Sequence, residues 1–242
     1  MPPRLLPSTV NRFVEAVLVV VGYTAAAIVA TWPLARHPLS GIYGFPNDNY
    51  GGIWLYGFLH DAYHGAGNAD FASALQAPFG MEISQQGVQP LDRFMAYVFG
   101  GPGQGLGAYN VQIFTSFVLA GCTMYLLARY VTGNRAASAL AGFIFAFSPF
   151  HLAQAMQYTA LATIQWIPLY ILALLVLLRR GRWRDAVFTG GAFALITATS
   201  YYHAWFVAWM TLALLLVWTV GRLRNERRTT GRISASGENS TR

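Results

Sequence analysis

The chain has 242 residues, of which 55% are hydrophobic and 10% charged, and its mean hydropathy is +0.40. A soluble domain carries about 25% charged residues, so this composition argues against two soluble domains and for one membrane domain. All sixteen basic residues behind the net charge of +7 are arginines at the ends of apolar segments; they read as topology signals, which argues against nucleic-acid binding.

Taken in chain order, the apolar runs predict an all-α polytopic transmembrane bundle of about six spans, each near the length a bilayer needs. The first runs from Phe13 to Trp32, opened by Asn11-Arg12, and is too long for the apolar region of a cleaved leader, so a retained signal anchor is expected. A loop over residues 33–107 follows. The second span covers about Ala108 to Tyr130. The third, Ala136 to Phe150, is short and reaches Pro149, so it is expected to tilt, kink or continue to Met156. The fourth covers Thr159 to Leu178, the fifth Ala186 to Ser200 and the sixth His203 to Gly221. Lone Cys122 lies inside an apolar run and can form no internal disulfide.

In a six-span arrangement Arg4, Arg12, Arg129, Arg135, Arg179, Arg180, Arg182, Arg184, Arg222, Arg224, Arg227 and Arg228 share one side, while only Arg36 and Arg93 fall on the other. The positive-inside rule then places the N-terminus in the cytoplasm and the long loop outside. Residues 222–242, rich in Arg, Ser, Thr and Gly without apolar period, are expected to form a basic disordered cytoplasmic tail.

Five of the nine acidic residues sit in the loop: Asp48, Asp61, Asp70, Glu82 and Asp92. Gly51 to His64 reads as an amphipathic interfacial helix, with Trp54, Leu55, Phe58, Leu59 and Ala62 on one face and Ile53, Gly57, His60, Asp61 and His64 on the other. Asp48 just ahead of it is either its N-cap or a carboxylate held at the water–lipid boundary. Ala77 to Met81 reads as a turn. Asp92, leading the apolar run Leu91 to Phe99, is a second candidate carboxylate, a local partner of Arg93 or an N-cap. Gly100 to Gly107 reads as a flexible hinge; it lacks the lysine of a phosphate-binding loop.

Ser148, His151, Gln154, Gln157, Gln165, Tyr201, Tyr202 and His203 fall near the outer ends of later spans. Singly each suits an interhelical hydrogen bond or an interfacial anchor; together with Asp48 they suggest a shared outward cavity. The histidines have no metal-ligand spacing, which argues against zinc.

Further stretches are Asn47-Asp48 followed after five residues by Trp54, Ala108-Tyr109-Asn110, Tyr125-Leu126-Leu127-Ala128-Arg129, Gly142 through Pro149, and Gln165-Trp166-Ile167-Pro168-Leu169. In this order the chain resembles bacterial polytopic glycosyltransferases of the GT-C superfamily, including YfhO-like and mannosyltransferase-like members. The resemblance implies transfer of a sugar from a polyprenyl-phosphate donor to an acceptor outside the bacterial cytoplasmic membrane. It implies that Asp48 is the catalytic base or the ligand of a divalent cation such as Mg or Mn. Asn49, Trp54, Asp92, His151 and Gln157 become candidate substrate contacts. Family members usually carry glycine where Asn47 stands and continue past six spans, which implies an N-terminal part that works with a partner membrane chain. A non-catalytic membrane module, such as a transporter-like subunit, scaffold or degenerate transferase, is the alternative.

Overall fold

The computed structural model describes residues 9–45, 47–83, 87–101 and 104–238, with side chains described between Arg12 and Gly221. Ten helices carry the described fold, with one two-stranded hairpin. They are α1 (Thr9–Ala30), α2 (Asn49–Asp61), α3 (Pro90–Phe99), α4 (Leu106–Thr132), α5 (Arg135–Ala146), α6 (Pro149–Ala155), α7 (Thr159–Ala162), α8 (Trp166–Arg180), α9 (Trp183–Thr199) and α10 (Tyr201–Glu238). The hairpin pairs Phe71 with Glu82 and Ala72 with Met81, antiparallel, around the expected Ala77–Met81 turn. Residues up to His203 form one compact unit and Ala204 onward a second.

Four helical stretches are long and apolar enough to cross a bilayer: Arg12–Ala30, Leu106–Thr132, Thr159–Arg180 and Tyr201–Gly221. A fifth exists if α5 and α6, bent by 42°, count as one span. The bend falls where the sequence led us to expect it. Proline at the first position of α6 cannot continue the preceding ladder, and Ser148 restarts the helix, its Oγ accepting from His151 N at 3.3 Å. The expectation of six spans is therefore not met by length alone. The 17 residues of α9 reach about 26 Å at 1.5 Å per residue, short of the hydrocarbon thickness.

Burial is inverted relative to a soluble protein. Phe13, Leu18, Val21 and Val29 on α1 and Phe188 on α9 are exposed, whereas Ser116, Thr123, Ser138 and Thr189 are buried between helices. Small and hydroxylated residues at helix contacts with apolar residues outward is how helices pack in lipid. The main core sits where α2 and α3 meet the first half of α4, around Tyr56, Leu59, Met95, Ala96, Tyr109, Ile113 and Phe117.

Two hairpins have the same construction. α4 turns into α5 through Gly133, with φ +68°, and α8 turns into α9 through Gly181, with φ +64°. Both glycines sit in the left-handed cap position that ends many helices. Asn134 then caps α5, its side chain accepting from Ala137 N at 3.1 Å. α1 is held on α4 and α5 by Tyr23, whose ring fills a notch over Gly121 and Gly142 and whose hydroxyl donates to Ala139 O at 2.9 Å.

Three expectations change. The faces of α2 are not divided as the apolar period suggested: Gly57 and His60 pack against the α3–α4 connection, while Trp54 is exposed and stacked on Phe58 at 5.2 Å. The glycines before α4 are close-packing positions rather than a hinge. A Cβ at Gly105 would run into Ile53 O, and at Gly100 or Gly101 into His60; Pro102 and Gly103 lie outside the described residues. Finally, α10 continues as helix to Glu238, where a tail without order was expected from 222. Its Arg, Leu and Glu residues are good helix formers, and a preceding span supplies the nucleus that an isolated segment lacks.

Candidate functional site

The loop following α1 is fixed to α4 from below. Asn110 is buried, and its Nδ2 donates to Pro38 O at 2.7 Å and Gly41 O at 2.8 Å. Beyond it Gly44, with φ +113°, lies directly on the Met156 backbone, where a Cβ would overlap Met156 O. Asn49 completes the attachment: its Nδ2 donates to Phe45 O at 2.8 Å and Met156 O at 3.1 Å, and its Oδ1 accepts from Asn47 N at 2.9 Å. The loop and the α6–α7 connection are thereby brought together.

Asp48 stands at this junction and is exposed. It occupies the N-cap position of α2 with helical backbone angles, φ −61° and ψ −18°, and its side chain makes no capping hydrogen bond. The N-cap explanation is therefore not the one realised; capping needs an extended backbone that lets the side chain fold back onto the first turn. The carboxylate faces Tyr158 instead. Hydrogen-bonding interaction with Asp48, with the carboxylate charge second, raises the Tyr158 phenol above its ordinary value of 10.0. Asn47 Nδ2 donates to Gln157 Oε1 at 3.4 Å beside it. Tyr202 also lies close enough to Tyr158 to act on it electrostatically. Asp48, Gln157 and Tyr158 are all exposed at the rim. Next to them opens a cleft of 510 Å³ lined by Trp32, His37, Tyr43, Gly44, Phe45 and Met156 among others.

The other candidates are placed differently. Asn49 is almost fully buried and both ends of its amide are engaged, so it positions Asp48 rather than meeting a ligand. Trp54 lies on the outer side of α2 in its stack with Phe58. His151 is completely buried against Phe117, with Nδ1 2.6 Å from Ala146 O and Nε2 3.0 Å from Ser116 Oγ. Both ring nitrogens are taken, so the expected contact of His151 with phosphate or acceptor is corrected to an interhelical tie at the α5–α6 break.

Asp92 is also buried. It closes a capping box at the start of α3, accepting from Gln89 N at 3.0 Å. Tyr56 donates to its Oδ1 at 2.9 Å and Gln112 Nε2 lies 3.3 Å away, while Tyr56 and Gln112 share a further short contact. Burial raises its carboxyl above the ordinary 3.8, against the opposing pull of these donors. The expected pairing with Arg93 does not occur; Arg93 bridges Asp70 at 2.9 Å, across the hairpin. Consecutive helix residues point to different faces, so a neighbour in sequence is a poor partner.

One residue that sequence reasoning passed over is Tyr158. Tyr158 follows Gln157 directly, so the signal was one position away, but its relation to Asp48 is made across 110 residues of chain and is invisible to local pattern. Deeper in, Ser116, His151, Thr163, Gln165, Thr199, Ser200 and His203 are all buried polar side chains around the α6–α8 connection and the α9–α10 turn. Among the described residues Gln165 Oε1 and His203 Nδ1 have no hydrogen-bond partner there. No three His, Cys, Asp or Glu side chains gather among the described residues.

No curated protein and no solved structure matches the chain. A family model does: residues 51–237 match DUF6311, a domain of unknown function, and the match begins just after Asp48. The chain belongs to the DUF6311 family.

Proposed function

We propose that the chain is a GT-C-like membrane glycosyltransferase in which Asp48 is the functional carboxylate. The observation that carries this reading is that Asp48 sits exposed at an N-cap position without capping, close in the chain to Gly44 and Phe45 of the cleft wall, while its neighbour Asn49 is anchored. A carboxylate in that state can accept the proton of an acceptor hydroxyl as the hydroxyl oxygen attacks the sugar carbon and the bond to the carrier phosphate breaks. The donor set at the rim is one carboxylate with the amide oxygens of Asn47 and Gln157 close by. Hard oxygen donors in small number fit a magnesium or manganese ion that shares its shell with water and substrate phosphate; Asp48 would hold it, and the ion would neutralise phosphate charge.

Orientation follows from the arginines. Arg12, Arg129, Arg135 and Arg179 gather at the C-terminal end of α4, where Arg179 lies over Tyr130 at 4.9 Å, whereas the loop is tied to Asn110 near its N-terminal end, about 30 Å away. Counting α9 and the bent α5–α6 pair as crossings gives six, with the N-terminus cytoplasmic, Asp48 outside and a bacterial cytoplasmic membrane as the setting. A partner membrane chain completes the carrier groove.

The deciding experiment is a transfer assay on purified protein in lipid with labelled polyprenyl-phosphate sugars, with and without divalent cation. Transfer by the wild type that is lost in Asp48→Asn supports the reading; equal turnover by the variant sinks it. The burial of Asn49, Asp92 and His151, which takes three expected substrate contacts away from Asp48, favours a second reading, a non-catalytic membrane module such as a degenerate transferase. Retention of donor without turnover would identify that case.

A further inference from the structure

At the end of α4 opposite the loop, α1 and α5 diverge and leave a cavity of 720 Å³. Leu18 and Gly22 of α1 and Ala139 and Phe143 of α5 form its walls, and Tyr23 lies between them at the point where α1 is docked. One end is charged. Glu15 meets Arg135 at 2.8 Å and Arg129 at 3.1 Å and accepts from Tyr125 at 2.5 Å. A second groove of 490 Å³ on the other flank of the α1–α4 seam adds Arg12 to the same end.

The charges do not balance there. Arg129 and Arg135 both bridge the one carboxylate of Glu15, two positive charges against one negative, and Arg12 lines the neighbouring groove. The Arg135 side chain remains 55% exposed after bridging Glu15, so donors are left over. Arg135 also opens α5, where the helix dipole is positive. A groove with apolar walls is not a site for water, which needs several polar partners. Basic pockets between membrane helices favour anionic headgroups.

We propose that the groove between α1 and α5 binds one anionic phospholipid. Its phosphate lies on Arg135 beside Glu15, and one acyl chain lies along Leu18, Gly22 and Phe143. The site depends on the chain being in a bilayer and not on the role of Asp48. Its design is a salt bridge with an unspent arginine over a ready-made apolar slot.

Gly22 offers a probe, because it lines the slot and a Cβ there meets nothing within 4 Å, so a larger side chain starts without a clash. Protein is released from nanodiscs of equimolar phosphatidylglycerol and phosphatidylcholine and its bound lipid weighed by native mass spectrometry. One phosphatidylglycerol retained per chain, several-fold over phosphatidylcholine, is expected. Arg135→Gln should remove the preference, and Gly22→Leu the retention itself. Ala139→Leu fills the slot from the opposite wall and should match Gly22→Leu even if one of the two folds poorly. Arg182→Gln, at the α8–α9 turn, should change nothing. Preference that survives Arg135→Gln, retention that survives both fillers, or an equal loss in Arg182→Gln overturns the proposal. So does a second protein copy retained in place of lipid.

Discussion

The two ends of α4 use polar residues in opposite ways. At its N-terminal end Asn110 and Gln112 are buried, and with Asn49 and Asp92 nearby they hold fixed partners, Asn110 through its Nδ2 while its Oδ1 has none among the described residues. At its C-terminal end Arg129 and Arg135 surround Glu15 while remaining partly exposed, 30% and 55% of each side chain. Buried, paired groups position backbone; half-exposed charges contribute little stability but stay available. Rigidity therefore belongs to the loop end and open valence to the basic end.

Substitutions can test this contrast. Asn110→Leu should have the largest effect, since it strands the Pro38 and Gly41 carbonyls; a loss of about 2–4 kcal/mol is expected in unfolding followed in detergent. A change near zero would mean that the loop is not held from α4. Gly121→Val drives a side chain into the Tyr23 ring and should cost about 1–3 kcal/mol through undocking of α1. Helix-pair crosslinking between α1 and α4 would read that loss directly.

The loop end also carries a pH dependence. The folded carboxyl of Asp92 is raised by burial, so the folded state holds its proton more tightly than the unfolded chain. Its contribution to stability is fully present below the ordinary value of 3.8 and declines as pH rises through the higher folded value. The wild type should lose stability across this window and Asp92→Asn should not; parallel curves would remove Asp92 from the argument. At the basic end Glu15→Gln should change stability by about 0–1 kcal/mol, and a larger loss would erase the contrast between the ends. The smallest signal is spectroscopic. Asp48→Asn should return the Tyr158 phenol toward 10.0, seen as a shift in the ultraviolet titration that Tyr158→Phe abolishes.

What the sequence disclosed depended on the range of the interaction. Apolar runs located every long helix, and Pro149 marked the bend, because both act within a few residues. Arg12, Arg129, Arg135 and Arg179, each near a helix end, gather at one end of α4, as short helix hairpins require. The roles of individual polar residues were harder to read. Asn49 and His151 look like ligands in sequence, yet their partners are Met156 and Ser116 on other elements. For Asp92 a pairing with Arg93 and a role at the helix start were both open; it joins the capping box of α3, and its other partners, Tyr56 and Gln112, come from different elements. Gly121 and Gly142 gave no local sign of the Tyr23 notch beyond the general frequency of small residues in membrane helices. That Asp48 stands ahead of a helix was legible in the sequence; that it does not cap that helix could be seen only from the backbone angles at that position.

Gly44 carries a consequence for how the protein tolerates change. Its positive φ and its contact with Met156 O exclude every side chain, not merely large ones. In a library of all single substitutions scored for function, position 44 should be an empty column. Gly51, with open space at the Cβ position, should fill freely only a few residues away. Tolerance would thus map the seam between the loop and the α6–α7 connection at single-residue resolution, with no need to know the substrate.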